Sequence, residues 1–328
     1  MKLIIFKFIK FSLFSLLLIF SFWSCTKDKT SDIDLSNIKV ETIVERFDQK
    51  FYTTNPEKLD ELKAEFPYLF PKSNPDSVWV NKMQNKDEQD LFTESQKLYS
   101  DFSSEKNQLN SLFKHIKYYY SNFQEPKVIT ILSNVDYDNN VVLADSLLFI
   151  SLDIFLGKDS QVYSEFPNYV KQNYTKEHLV VAVAERFVKQ YIPPLSNNDL
   201  IGRMIQEGKK IVLAEAFLPT IKKSEIIGYT ANQMGWAENS EVDIWKYFIQ
   251  NEMLYDSDSQ LSARFIEEAP FSKFFLEVDK DSPGRIGAWF GWQIVKSYIN
   301  NNDVSLQKVM VTDNEEIFKH SKYKPKKS

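Results

Sequence analysis

The stretch VVAVAERFVKQYI, residues 180–192, repeats its apolar side chains with a helical period. Five of them, spaced i, i+4, i+7, i+8 and i+11, form one stripe along a helix: Val180, Ala184, Phe187, Val188 and Tyr191. Glu185 lies at the edge of this stripe. The spacing therefore predicts a helix over 176–192 whose apolar face is buried, with Ala184 and Val188 on the buried side.

Two positions on this helix coincide with those of a zinc-binding pattern. In the H-E-x-x-H helix of zinc peptidases, two histidines one turn apart bind the metal, and the glutamate between them is the general base. Here Ala184 and Val188 occupy the histidine positions, and only Glu185 matches the pattern. Glu207, on the next predicted helix, stands where one class of these enzymes has its third ligand.

The two glutamates also have a purely structural interpretation. Glu185 and Lys189 are four residues apart, as are Arg203 and Glu207, so each glutamate is suited to a solvated ion pair on a helix surface. Two glutamates on neighbouring helices are therefore not by themselves a sign of a site.

The rest of the chain predicts an α+β fold that is mostly α, with a small N-terminal and central β-sheet. Alternation predicts a strand at 38–47, and apolar segments on both sides of the bend VDYDNN predict a hairpin or small sheet between Lys127 and Leu156. The chain is mixed α/β to about 157 and mostly helical after about 175. Helical patterns occupy 55–70, 86–102, 105–120, 176–192, 198–217, 230–254 and 284–300.

The N-terminus predicts export and a lipid anchor. Residues 1–24 have a lysine-containing start and a short apolar core, which is typical of a signal peptide and short for a membrane span. Cys25 follows directly and is the chain's only cysteine, so it has no partner for an internal disulfide and we expect it to be lipidated. The alternative is a retained membrane anchor. We expect 25–37 to be a polar tether and 38–328 to be one globular domain.

The composition disfavours several classes of function. The formal net charge is −5, whereas nucleic-acid binding needs a basic surface. Only eight glycines are present, with no G-x-G-x-x-G or Walker-type run for a nucleotide, and no G-x-S-x-G for a serine hydrolase. We therefore predict no cofactor and no nucleic-acid partner.

The remaining candidate ligands have simpler interpretations. Asp136, Asp138 and Asn140 match the first positions of a calcium loop, but the glycine and the closing carboxylate of that loop are absent, which favours a β-turn. His115 is expected to be a core or surface histidine. His178 is expected to face away from Ala184 and Val188, the two histidine positions of the zinc-binding pattern. The basic end HSKYKPKKS (320–328) is expected to be a solvated tail.

The segment DSPGRIGAWFGWQIVKSYI (281–299) predicts a helix that begins near Ser282 and Pro283. Gly287 and Gly291 lie one turn apart on one face, which permits close approach of another helix. Trp289 and Trp292 either fill the core or contact a partner. Arg285, in the first turn, is expected to face the cleft and neutralise Glu185 or Glu207.

Longer motifs extend along the chain, among them VERFDQKFY (44–52), EFPYLFP (65–71) and DSPGRIGAWFGWQIVKSYINNNDVSLQ (281–307). Together they resemble the gliding-motility lipoprotein family GldB of Bacteroidetes over nearly the whole chain after the signal peptide. That family in turn resembles predicted zinc peptidases in which Glu-Gly follows H-E-x-x-H. The resemblance implies a degenerate zincin-like (metallopeptidase) scaffold, with Glu185 at the general-base position and Glu207 with Gly208 at the third-ligand motif.

On this resemblance we expect a non-catalytic protein without a bound metal, because a catalytic zinc needs three protein ligands and an open position. It would be a lipid-anchored, periplasm-facing cell-envelope protein, required for gliding motility and type IX secretion, whose partners are the membrane and other proteins of that machinery. Two alternatives are an envelope hydrolase with an altered metal site built from Glu185, Glu207 and a remote histidine, and a peptidoglycan-binding module that uses Trp289 or Trp292.

Overall fold

The strands lie in the first half of the molecule. A computed structural model describes residues 33–326, so the predicted signal peptide, Cys25 and the first part of the tether lie outside the described residues. Within this range the strands form one sheet of order β1-β2-β4-β3: β1 (Val44–Glu45), β2 (Lys127–Ile131), β3 (Val141–Ala144) and β4 (Leu147–Ser151). β2 is parallel to β1 and β4, and β3 is antiparallel to β4.

The sheet is confirmed, but its connections differ from the sequence prediction. The hairpin joins β3 to β4 and turns at Asp145, where a φ of 52° suits a two-residue connection. The bend VDYDNN instead belongs to the connection from β2 to β3, which do not pair with each other because β4 lies between them. The strand predicted at 38–47 is only two residues long. It ends at Glu45, and the side chain of the next residue, Arg46, donates to Asp48 (2.9 Å) and to the carbonyl of Tyr99 (2.6 Å) as the first helix begins.

The helices confirm a fold that is α+β and mostly α. Five precede or flank β2: α1 (Phe47–Thr53), α2 (Leu59–Glu65), α3 (Asp76–Gln84), α4 (Lys86–Tyr99) and α5 (Ser103–Tyr119). The others follow the sheet: α6 (Asn168–Lys171), α7 (Leu179–Val188), α8 (Leu200–Phe217), α9 (Lys223–Ile227), α10 (Ala231–Gln250), α11 (Gln260–Phe265), α12 (Ile286–Asn301), α13 (Leu306–Val311) and α14 (Asn314–Ser321). Short 3₁₀ turns occur at Pro56–Lys58, Pro67–Leu69, Tyr137–Asn139, Leu152–Ile154, Gln161–Tyr163, Lys176–His178 and Glu277–Asp281.

α8 is the central helix of the second half. It packs against α5, α7, α9, α12, α13 and α14, and α7 in turn contacts β3, so α7 links the helical part to the sheet. The Asp199 side chain caps α8 by accepting from the backbone N–H of Gly202 (2.8 Å). Aromatic rings fill the contact between α5 and α7, where Phe113 and Phe187 meet edge to face with centroids 5.7 Å apart.

α8 and α12 cross at two glycines. A methyl group added to Gly291 would lie 1.6 Å from the Met204 carbonyl oxygen, and one added to Gly208 would lie 2.2 Å from the carbonyl carbon of Gly291. No side chain fits between these backbones, so the predicted close approach at Gly291 is confirmed and its partner is α8. The helix starts later than predicted, at Ile286, because Arg285 adopts a left-handed conformation with φ 59°.

The C-terminal segment is not a wholly solvated tail. His320 and Ser321 belong to α14, and the Tyr323 hydroxyl donates to Glu241 Oε1 (2.6 Å). The Tyr323 ring also packs edge to face against Trp245 at 5.1 Å. The prediction is wrong here because an amphipathic tyrosine can bury its ring on α10 even within a basic segment.

None of the helices within residues 33–326 combines the length and the apolar character that a membrane crossing needs.

Candidate functional site

Ala184 and Val188 lie on the buried face of α7, as the sequence predicts. They are 0% and 1% exposed, and their neighbours on α7 are equally buried: Val180, Val181, Val183 and Phe187. Glu185 is exposed on the other side of the helix. The two positions at which metal-binding imidazoles would stand therefore carry aliphatic side chains that are part of the core.

Glu207 is held by two cationic side chains. Lys210 Nζ lies 2.5 Å from Oε1, and Arg285 Nη2 lies 3.9 Å from Oε2. The carboxylate is only partly accessible, with 20% of its side chain exposed. Both oxygens thus face positive charge supplied by the protein itself, and Arg285 is close to Glu207 as the sequence led us to expect.

The ion pairs expected from helical spacing are not those that form. Within the described chain, Glu185 makes no ion pair with Lys189. Arg203 turns away from Glu207 and donates to the Asp258 carbonyl (2.9 Å) and the Ser262 hydroxyl (3.0 Å). The reason is tertiary, because these acceptors lie around α11 and are invisible in the local spacing of α8.

Glu185 and Arg285 line one cavity of about 370 Å³. Its wall contains three carboxylates (Asp138, Glu185 and Glu268), one imidazole (His178), one guanidinium (Arg285) and the aromatic rings of Tyr137, Phe155, Tyr169 and Tyr174. Burial raises the pKa of Tyr174 to about 12, and the negative charges of Glu268 and Asp138 add to this effect. The cavity is therefore acidic and aromatic.

A strained turn holds one wall of this cavity. Asn134 and Val135 have φ near 60°, which is a real outlier for the β-branched valine. The buried Asp153 carboxylate fixes the turn by accepting from the backbone N–H groups of Ser133 (3.0 Å) and Val135 (2.7 Å). This arrangement presents Tyr137 and Asp138 at the cavity.

The two central histidines differ in their surroundings. His115 is buried, and its Nδ1 lies 2.8 Å from the Ser111 carbonyl oxygen in the same helix, which confirms a structural role. His178 is 8% exposed and its Nδ1 lies 3.0 Å from Glu225 Oε1. That hydrogen bond is the main cause of the lowered pKa of Glu225. Glu225 is therefore ionised and accepts a hydrogen bond from the Nδ1–H group of His178.

The acidic and histidine side chains do not converge on a point. Among residues 33–326, no three His, Cys, Asp or Glu side chains are close enough together to hold a metal ion. The calcium-loop segment forms a turn, as expected, with Asn139 Nδ2 donating to Asp136 Oδ2 (3.0 Å).

Both tryptophans of α12 belong to the core. Trp289 and Trp292 are each 2% exposed, and the Trp292 indole N–H donates to Glu215 Oε2 (2.6 Å). Neither ring offers a free face for a sugar or a peptide. Of the two alternatives that the sequence left open, the structure shows core packing, because the glycine face of α12 brings the helix so close to α8 that its large side chains are enclosed.

The sequence pointed to part of this cavity only. Glu185, Arg285, Asp138 and His178 were each recognisable as candidates for separate reasons, but nothing local joined them. Tyr169, Tyr174 and Glu268 carried no signal, because each comes from a segment whose pattern indicates only a helix or a turn. Their convergence depends on the packing of α7 against the sheet and of α12 against α8.

Comparison with known proteins adds one finding. No curated protein and no solved structure gives a significant match to this chain. A family model described as gliding motility protein GldB matches residues 28–325, which is almost all of the chain beyond the predicted signal peptide. The chain therefore belongs to the family of the gliding motility protein GldB.

Proposed function

We propose that this protein is a non-catalytic, lipid-anchored component of the cell envelope that serves gliding motility and the associated type IX secretion by binding other proteins of that machinery. Its body would be a degenerate zincin-like scaffold that keeps the helix pair of a peptidase and lacks the metal chemistry. Membership of the GldB family supports the role in motility.

One observation carries the non-catalytic part of the proposal: aliphatic side chains occupy the two histidine positions, at 0% and 1% exposure. Catalytic zinc uses three protein ligands, and Ala184 and Val188 have no donor atom to offer. Without a metal, the pKa of a water nucleophile stays far above the value of about 7 that bound zinc produces, too high for peptide hydrolysis at neutral pH. Arg285 and Lys210 supply positive charge to Glu207 in place of an ion.

The anchor in this proposal is Cys25. A single cysteine placed directly after a signal-like segment is suited to covalent lipid attachment and not to a disulfide. The polar tether at 25–37 would then hold a periplasm-facing body next to the membrane.

The second candidate function is an envelope hydrolase with an altered site. It is favoured by one feature, that His178 and Glu185 line the same cavity. The zinc content of protein purified without chelators separates the two functions. We expect little zinc, unchanged in Glu207→Gln and in the control Glu316→Gln, which alters an exposed carboxylate on α14. Stoichiometric zinc that is lost only in Glu207→Gln would overturn the non-catalytic proposal.

The interaction role is tested by cross-linking in gliding cells. A strain that lacks this protein and carries a complementing copy should yield cross-links to envelope proteins of the gliding or secretion machinery. Cross-links that do not exceed those of an unrelated envelope lipoprotein, in cells whose gliding is restored, would contradict a role through binding.

A further inference from the structure

The cavity of about 370 Å³ between α7 and the start of α12 has three carboxylates without partners. Within residues 33–326, Asp138, Glu185 and Glu268 form neither an ion pair nor a side-chain hydrogen bond. The one cation in the lining, Arg285, lies 3.9 Å from Glu207 and is thus already next to a carboxylate outside the lining. The interior of the cavity consequently has a negative potential.

Aromatic rings also line the cavity. Tyr137, Tyr169, Tyr174 and Phe155 line the cavity. Ring faces attract ammonium and guanidinium groups, and the attraction is larger where the site is partly shielded from water. Tyr137 is kept at the rim by edge-to-face packing on Phe166, with centroids 5.8 Å apart.

His178 points to the same ligand chemistry by an independent route. Its side chain is nine-tenths buried and lines the cavity, and its Nδ1 proton is bound to Glu225. Among the residues that the structure describes, Nε2 has no hydrogen-bond partner. When the imidazole is neutral this nitrogen is an acceptor, so His178 adds one acceptor to those of the carboxylates in the lining.

The size and spacing of the cavity suit an organic group better than a bare metal ion. No three carboxylate or imidazole groups in the described chain are close enough to share an ion. A volume of about 370 Å³ is instead in the range of sites that enclose organic groups. The acceptors are distributed around the wall, as suits a ligand with several donor hydrogens on an apolar stem.

We propose that this cavity binds an organic cation, the alkylammonium or guanidinium end of a basic side chain presented by a partner protein. The cationic group pairs with carboxylates of the wall, which Glu185, Glu268 and Asp138 supply, while its stem packs on the tyrosine rings. This proposal rests on the proposed interaction role, and it specifies the kind of group that the cavity binds. It differs from a peptidase site because the bound group is held without being cleaved.

Calorimetric titration of the full lipidated protein in detergent tests the site. The probes are N-acetyl-lysine amide, N-acetyl-arginine amide and N-acetyl-norleucine amide, which keeps the stem and lacks the charge. We expect the two cationic probes to bind, more weakly as salt increases, and the norleucine probe not to bind. Cadaverine distinguishes a free diamine from a side chain: binding tighter than that of N-acetyl-lysine amide would overturn the assignment to a protein partner.

Single substitutions locate the binding. Glu185→Gln and Glu268→Gln should each weaken the cationic probes about ten-fold, which corresponds to about 1.4 kcal/mol. Both residues are exposed, so these changes leave the core intact, and Glu316→Gln on α14 is the control that should bind like the wild type. Equal binding of the norleucine probe, absence of binding by all probes, or equal weakening by Glu316→Gln would overturn the proposal.

The same variants separate this site from the broader role. If Glu185→Gln with Glu268→Gln abolishes probe binding and reduces the partner cross-links in cells, the cavity is the recognition site. If no cationic probe binds and the cross-links persist, the cavity proposal fails and the interaction role stands. If probes bind but no partner cross-links form with wild-type protein, the interaction role fails and the cation site stands.

Discussion

Arg285 combines three features in one residue. It has a left-handed backbone with φ 59°, it immediately precedes α12, and its guanidinium lies between Glu207 and the acidic cavity. A left-handed conformation costs about 1 kcal/mol or more for a residue with a Cβ, so the surrounding packing must impose it. From this turn the Arg285 side chain reaches Glu207 on α8.

Lys209 is a second residue whose surroundings change its chemistry. It is 3% exposed, and its Nζ donates to the Thr312 carbonyl (2.5 Å). Burial lowers the pKa of Lys209 to about 8, and the nearby Asp313 opposes this effect without cancelling it. The charged form is therefore disfavoured in the folded protein and favoured in the unfolded chain.

This shift predicts a pH-dependent stability. Because the folded pKa is below the unfolded value of 10.5, the contribution of Lys209 to stability is lost below about pH 8 and is regained as the pH rises towards 10.5. We expect the free energy of unfolding of the wild type, minus that of Lys209→Met, to rise with pH by about 2 kcal/mol across this window. Urea unfolding followed by circular dichroism measures it.

The wild type and Lys209→Met share all other titrating groups, such as the buried tyrosines. The contributions of these groups therefore cancel in the difference between the two free energies of unfolding. A difference between the wild type and Lys209→Met that stays constant from pH 7 to pH 10 would show that Lys209 has an ordinary pKa. A difference that falls with pH would contradict the sign of the effect.

At the scale of elements, the contact between α8 and α12 organises the helical part. Gly208 on α8 and Gly291 on α12 allow the two backbones to come into contact. Trp289 and Trp292 are buried at this close contact. The same contact sets the position of Arg285 relative to Glu207, since these residues lie on α8 and at the start of α12. A change at this crossing should therefore affect both stability and the site.

We predict that Gly291→Ala destabilises the protein by about 3 kcal/mol or more, because its methyl group would overlap the Met204 carbonyl oxygen at 1.6 Å and force the helices apart. Gly235→Ala is the matched control. Gly235 is within α10, and a methyl group there meets no atom within 4 Å. This control should be stabilised by about 0.5–1 kcal/mol through helix propensity.

Denaturant midpoints of the two variants measured side by side test this prediction. Loss of stability in both variants to a similar extent would show that the helices tolerate alanine poorly for a general reason. A stable Gly291→Ala protein would mean that α8 and α12 do not cross as closely as the structure shows.

At the scale of the whole molecule, attachment to the membrane is the property that most constrains function. No helix within residues 33–326 is a membrane span. The attachment that we propose is at Cys25, which lies outside the described residues. We expect radiolabelled fatty acid to be incorporated into the wild type and not into Cys25→Ala, and the variant to leave the membrane fraction.

The lone thiol provides an internal control for this test. Mature wild-type protein should not react with a maleimide, because its only sulfhydryl would be used in a thioether to lipid. Persistent fatty-acid label in Cys25→Ala, or a freely reactive thiol in the mature wild-type protein, would refute the lipoprotein assignment.

The sequence by itself determined the longer helices α4, α5, α7, α8, α10 and α12, the buried side of α7, the glycine face of α12 and the GldB family. These follow from local rules, since the helical period and the size of a glycine are visible in a few consecutive residues. Boundaries were less certain where a side chain such as Arg46 ends a strand by reaching a distant acceptor.

Only the tertiary structure decided the sheet order, the partners of Arg203 and the acidic cavity. The cavity joins residues from the crossover after β2, from α6 and α7, from the loop after α11 and from the start of α12. No local pattern encodes such a meeting, because it depends on how closely α12 packs on α8 and α7 packs on the sheet. The physical reason is that periodicity sets which face of an element is buried, whereas the packing of whole elements sets what that face meets.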